Sequence, residues 1–137
     1  MADIGGILRS LDGRQEQGVR RILLRSYQGL TTSSPVRTGF FRAGWSPSTG
    51  APSGGPQNPP PDEEATRRIA ESLFSAHSRE AESLSASYTL SNGIAFIANP
   101  VSYGPALNMG TSAQAPAMFV EMAIASAVAQ TKRERLS

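Results

Sequence analysis

Residues 50–61, GAPSGGPQNPPP, constrain this chain most, because five prolines and three glycines in twelve residues can neither complete a ladder nor hold a helix. They predict an exposed loop without strand or helix, since the prolines lack donors and the glycines resist ordering. The full 137 residues suit one ordinary domain with one modest core. Residues 1–137 are therefore read as a single domain carrying this loop.

Before the loop, Ile4, Leu8, Leu11, Val19, Ile22, Leu23, Tyr27 and Leu30 recur at the spacing of one helical face, which predicts a long N-terminal helix. Gly13 and Gly18 each cost about 1 kcal/mol against alanine, so a break is expected near Asp12 and Gly13. Thr31 to Pro35 ends the helix, because hydroxyl side chains compete for backbone bonds and Ser34 precedes a proline. The aromatic stretch that follows suggests a turn into a strand around residues 42–48.

After the loop, Asp62 is placed to cap a middle helix over about 62–82. Glu63 and Glu64 suit its positive end, and the pairs Glu63/Arg67 and Glu64/Arg68 lie four apart. Ile69, Leu73, Ala76 or His77, and Ala81 are its expected buried stripe. Asn92-Gly93 between the β-prone runs 84–90 and 94–99 predicts an antiparallel hairpin. The last segment reads as an alanine-rich helix with Pro116 in its first turn and Lys132, Arg133 and Arg135 at its negative end. The fold class is α+β: a small antiparallel sheet with a β-hairpin at about 84–99, packed against a long N-terminal, a middle and a C-terminal helix.

Chemistry is sparse. Cysteine is absent, which excludes disulfides, thiolate zinc sites and cysteine nucleophiles. The one histidine, His77, lies mid-helix with no Gly-x-Ser-x-Gly elbow to present a serine, and reads as a helical-surface or core-edge residue. Asp62, Glu63 and Glu64 read as helix-start charge, and Gly54-Gly55 lacks the Gly-Lys-Ser/Thr of a phosphate loop. No catalytic, metal-binding or cofactor-binding residue is assigned, and the chain is expected not to be an enzyme. A net charge of +2 permits nucleic-acid contact without demanding it. Arg20, Arg21 and Arg25, with Arg9 and Arg14, form a basic stretch that would reach DNA phosphates or else make a solvated helix face. No run approaches the ~20 apolar residues of a membrane span, and MADIGGILRSLDGR lacks a basic region before an apolar one. The chain is expected to be neither anchored nor exported by a signal peptide.

Two glycine-and-aromatic segments remain, and they carry a resemblance. Pro35-Val36-x-Thr38-Gly39-x-x-Arg42-Ala43-x-Trp45-Ser46 comes first, followed by Pro59-Pro60-Pro61-Asp62-Glu63-Glu64-Ala65. Asn99-Pro100-x-x-Tyr103 and Gln114-Ala115-Pro116-Ala117-Met118 complete the set. In order and spacing they resemble the neck or tail-completion (head-tail joining) proteins of long-tailed, lambda-like bacteriophages, over residues 35 to about 125. The chain departs from that pattern at Arg37, where the family has Asp, at Gly104 for Ala, and at Asn108-Met109 for Glu-Tyr. The resemblance implies a small α+β subunit of a ring, commonly sixfold, around the DNA channel between head connector and tail tube. Implied partners are further copies of itself, head connector or completion proteins, tail terminator or tail tube proteins, and packaged DNA, with no membrane. Its place would be the virion neck, after assembly in the host cytoplasm.

Arg20, Arg21 and Arg25 are then candidate contacts to DNA in the channel. Aromatic residues and methionine favour the buried centres of interfaces. Phe40, Phe41, Trp45, Tyr103, Leu107, Met109, Met118 and Phe119 are accordingly candidates for the subunit or partner interface, or else they close the core. Three other functions compete: a tail terminator capping the tube, a nucleic-acid-binding regulator using the first helix, and a small hydrolase around His77.

Overall fold

A computed structural model describes the backbone of residues 4–35, 38–111 and 117–136, and the side chains of residues 14–35, 38–110 and 117–134. The first element, α1, runs unbroken over Ile4–Ser33, about 45 Å, so Gly13 and Gly18 do not interrupt it. Packing of Leu23, Tyr27 and Leu30 in its second half outweighs the propensity cost of Gly18. Leu23, Tyr27 and Leu30 are buried, whereas the side chains of Ile4, Leu8 and Leu11 lie outside the described residues. At its end Thr31 Oγ1 and Ser34 Oγ donate to the Tyr27 and Leu30 carbonyls, the hydroxyl competition read from the sequence.

A four-residue helix, α2 (Phe40–Ala43), then opens from Gly39, whose φ of 81° is the left-handed conformation a glycine adopts without strain. Strand β1 covers Ser46–Thr49, so the strand expected around 42–48 begins later and a helical turn precedes it. Residues 50–61 contain neither strand nor helix, as their composition predicts. They are mostly exposed. One bond from the Ser102 amide to the Gln57 carbonyl, 2.9 Å, lays the loop along the segment after the second strand.

The middle helix α3 (Glu63–Ser87) starts on Asp62, whose carboxylate accepts from the Glu64 and Ala65 amides, and Arg67 pairs with Glu63 at 3.0 Å. It outlasts the expected 82 because α1 claims the next residues. Ser85 Oγ donates to the Arg20 carbonyl at 3.1 Å, Arg20 Nε donates to the Tyr88 carbonyl at 2.7 Å, and the Leu90 amide donates to Glu16 at 3.0 Å. Its buried positions are Thr66, Ala70 and Ala81. Ile69 is left 39% exposed, but Leu73 and His77 are half-buried and Ala81 is fully buried, so the expected stripe holds except at its first position.

The hairpin at about 84–99 does not form. Residues up to Ser87 are helical, and Leu90–Asn92 is a short 3-10 turn. The Asn92 side chain accepts from the Thr89 amide at 2.8 Å, a local capping use that replaces a two-residue β-turn. Gly93 keeps the positive φ, 84°, that makes Asn-Gly a turn signal, but it ends the 3-10 turn. Strand β2 (Ala95–Ala98) pairs antiparallel with β1, in the register Ser46↔Ala98 to Thr49↔Ala95. Pro47 faces Ile97, and a proline has no N–H to give a ladder. That pair is thus the non-hydrogen-bonded kind, in phase with the bond from the Gly50 amide to the Ile94 carbonyl.

Past Asn99 come a one-turn helix, α4 (Gly104–Ala106), a wide turn over Leu107–Thr111, and the last helix, α5 (Phe119–Leu136). The expected first-turn role of Pro116 lies outside the described residues, as does the Arg135 side chain. Helix α5 buries Phe119, Ala123, Ala127 and Thr131, one row spaced by four, against α1. A Cβ added at Gly29 would sit 3.3 Å from the Ala123 Cβ, so these helices approach to the limit set by small residues. The core joins both ends of the chain: Tyr27, Leu30, Phe41, Trp45, Ala81, Phe119 and Ala123 form one cluster. No helix among the described residues is long and apolar enough to cross a membrane.

Gly44 locks the sheet to this core. Asn99 Nδ2 donates to the Phe41 carbonyl at 2.8 Å, and Asn99 Oδ1 accepts from the Val101 amide at 3.2 Å. A Cβ at Gly44 would lie 2.5 Å from Asn99 Oδ1 and 3.0 Å from Val101 Cγ2. Gly44→Ala is therefore expected to cost about 2 kcal/mol through overpacking and a displaced Asn99. A urea midpoint unchanged from the parent chain would contradict this.

Candidate functional site

Phe41 is the hub of the aromatic cluster. Its ring centroid lies 5.6 Å from Trp45, 6.1 Å from Phe119 at an edge-on 82°, and 6.2 Å from Tyr103. Phe40 and Phe119 are 1% exposed, Phe41 4% and Trp45 6%, so four of the eight interface candidates are core residues of the chain itself. Trp45 Nε1 donates to Ser34 Oγ at 2.8 Å, which satisfies the buried indole. Leu107 is half-buried and packs against the same cluster.

The other three candidates face outward. Tyr103 is 36% exposed, Met118 55% and Met109 80%, and Met122, absent from the sequence-based set, is 57% exposed. Partial burial still raises the Tyr103 phenol above its ordinary pKa.

Asn108 fixes the backbone that carries the two methionines. Its Oδ1 accepts from the Val120 amide at 3.0 Å and its Nδ2 donates to Glu121 at 2.9 and 3.0 Å, while its carbonyl accepts from the Met118 amide at 2.6 Å. One side chain thus joins the wide turn to the first turn of α5, whose amides would otherwise lack partners. Two positive φ angles hold the geometry: Gly110 at 96° and Met118 at 62°. The second is a conformation that costs a non-glycine residue of order 1 kcal/mol. A Cβ at Gly110 would come within 3.1 Å of the Ala117 Cβ, so the two segments are in close contact. Beside them Val19, Ile22, Ala95, Ile97 and Ile124 line an open apolar groove of about 260 Å³ between α1, β2 and α5.

Arg20, Arg21 and Arg25 of α1 are engaged within the chain. Arg20 holds the Tyr88 carbonyl, and Arg25 donates to Thr131 Oγ1 at 2.9 Å and to the Glu134 carboxylate. Arg21 lies 3.7 Å from Glu134. The hydrogen bond from Arg25, more than the nearby charge of Arg21, holds the Glu134 carboxyl below its usual range. These arginines tie α1 to the 3-10 turn and to α5. His77 has a similar structural part: its Nδ1–H, in the tautomer this contact requires, donates to the Ala43 carbonyl at 2.8 Å and joins α3 to α2.

Sequence reasoning missed Asn108, Met122 and Arg42. Asn108 lies eleven residues before α5, too far along the chain to read as its cap, and its partner Val120 is twelve residues on. Arg42, whose guanidinium carbon sits 4.2 Å from the centre of the Phe74 ring, stands in the motif at 35–46 but was given no role there. No group of three or more His, Asp or Glu side chains that could hold a metal ion occurs among the described residues. Comparisons with protein-family models, with curated proteins and with solved structures find no match.

Proposed function

We propose that this chain is a structural subunit of a ring in the neck of a long-tailed bacteriophage, joining the tail to the head connector around the DNA channel. The ordered motifs at 35–46, 59–65, 99–103 and 114–118 support the family reading. The observation that carries the assembly reading is the outward presentation of Met109 and Met118 on a backbone pinned by Asn108, with Tyr103 nearby in sequence. Met109 and Met118 are carried on adjoining segments, so their exposure is clustered and not scattered, and methionine adapts well to a partner's relief. A contact between two different patches of identical subunits closes into a ring when its rotation divides the circle.

A tail terminator would use the same surface, so it stands as a variant of this reading. A nucleic-acid-binding regulator fits less well, because Arg20 and Arg25 are occupied inside the chain.

Negative-stain images of the purified chain at rising concentration test the proposal. Closed rings with a central opening are expected. Open filaments, or isolated subunits at every concentration, would contradict it.

A further inference from the structure

Arg42 lines a pocket of about 270 Å³ between the start of α2 and one face of α3. Its guanidinium carbon lies 4.2 Å from the centre of the Phe74 ring, a cation–π contact, and its Nε is buried without a hydrogen-bond partner. Ala70 and Phe74 give the pocket an apolar wall, Thr38 adds a hydroxyl-bearing side chain, and the exposed Arg67 and Glu71 complete the lining. Among the described residues Glu71 forms no ion pair with Arg42, and Arg67 is paired with Glu63 through one nitrogen.

We propose that this pocket receives a carboxylate on an aliphatic stem, an aspartate or glutamate side chain presented by another protein chain. A guanidinium held against an aromatic ring has lost part of its freedom, and its terminal N–H groups match a planar carboxylate at two points. The stem would lie along Ala70 and Phe74 while the head meets Arg42 and Arg67. A phosphate suits the site less. It brings no apolar stem to the wall, and in its dianionic form it meets stronger repulsion from Glu71. The pocket involves neither the exposed methionines nor the arginines of α1, so it is separate from the ring contact proposed above.

The test follows the Nε–Hε signal of Arg42 by nitrogen-15 NMR in the full chain, titrated with butyrate, formate or inorganic phosphate against chloride at constant ionic strength. Butyrate should move this signal saturably and bind about tenfold more tightly than formate, because its methylene groups are buried. Arg67→Gln, at an exposed position, should weaken butyrate about threefold without disturbing the fold. Arg42→Lys, which keeps the charge and loses the fork, should abolish saturable binding; if that variant unfolds, the butyrate-to-formate ratio and Arg67→Gln still decide. A signal that responds equally to every anion overturns the site, and tighter binding of phosphate than of butyrate overturns its assignment to a carboxylate. Neither result bears on ring formation, which particle images read separately.

Discussion

Phe41→Ala is expected to destabilise the chain by about 4 kcal/mol, a large share of the 5–15 kcal/mol that holds an ordinary domain together. The ring is 4% exposed and touches Trp45, Tyr103 and Phe119, residues from three separate stretches of sequence. Removing it opens a cavity where α2, the segment before α4, and α5 meet, and the bonded Phe41 carbonyl beside it holds Asn99 and hence the sheet. Near-ultraviolet circular dichroism should lose its aromatic signal, and the urea midpoint should fall steeply. A midpoint shift worth less than about 1 kcal/mol would mean that the ring is not a core member. The same burial applies to Phe40, Trp45 and Phe119, so charged substitutions there are expected to unfold the chain before they report on any interface.

Met109→Glu should act in the opposite way. At 80% exposure the side chain leaves almost nothing behind in the core when it changes, so stability should stay within about 0.5 kcal/mol of the parent. A carboxylate at the centre of a desolvated contact would be buried without a partner, and truncating or charging such a position commonly costs 2 kcal/mol or more per interface. A ring repeats that cost at every contact. Assembly should therefore collapse while the far-ultraviolet spectrum and urea midpoint stay unchanged. Met118→Glu offers a second probe, although its φ of 62° means that any substitution there also tests the strained backbone.

Much of the fold was legible wherever one residue type had one local purpose. Asp62 before two glutamates could only start a helix in that setting, and the proline and glycine density of residues 50–61 left no regular structure to form. The α+β class and the three long helices follow from such local signals. What failed was decided by contacts distant in sequence. Asn92-Gly93 carries the correct turn chemistry, yet α1 binds residues 85–90 through Arg20 and Glu16, and β2 finds β1 across an intervening helix. The α5 row was hidden for another reason: alanines at 123 and 127 mark a buried face only when a partner comes as close as Gly29 allows.

The candidate surface was half legible. Bulky apolar residues between 99 and 119 were visible as a set, but sequence does not say which of them a small core will absorb. Phe119 ends one four-spaced helical row and is buried. Met118, one residue earlier and at positive φ, points outward.

The most direct measurement is the molar mass of the purified chain by size-exclusion chromatography with light scattering, the parent run beside Met109→Glu. A single closed oligomer of several copies for the parent, and a folded monomer for Met109→Glu, is the predicted result. A parent chain that stays monomeric at every concentration, or a Met109→Glu variant that assembles as the parent does, would contradict the proposed ring and its methionine surface.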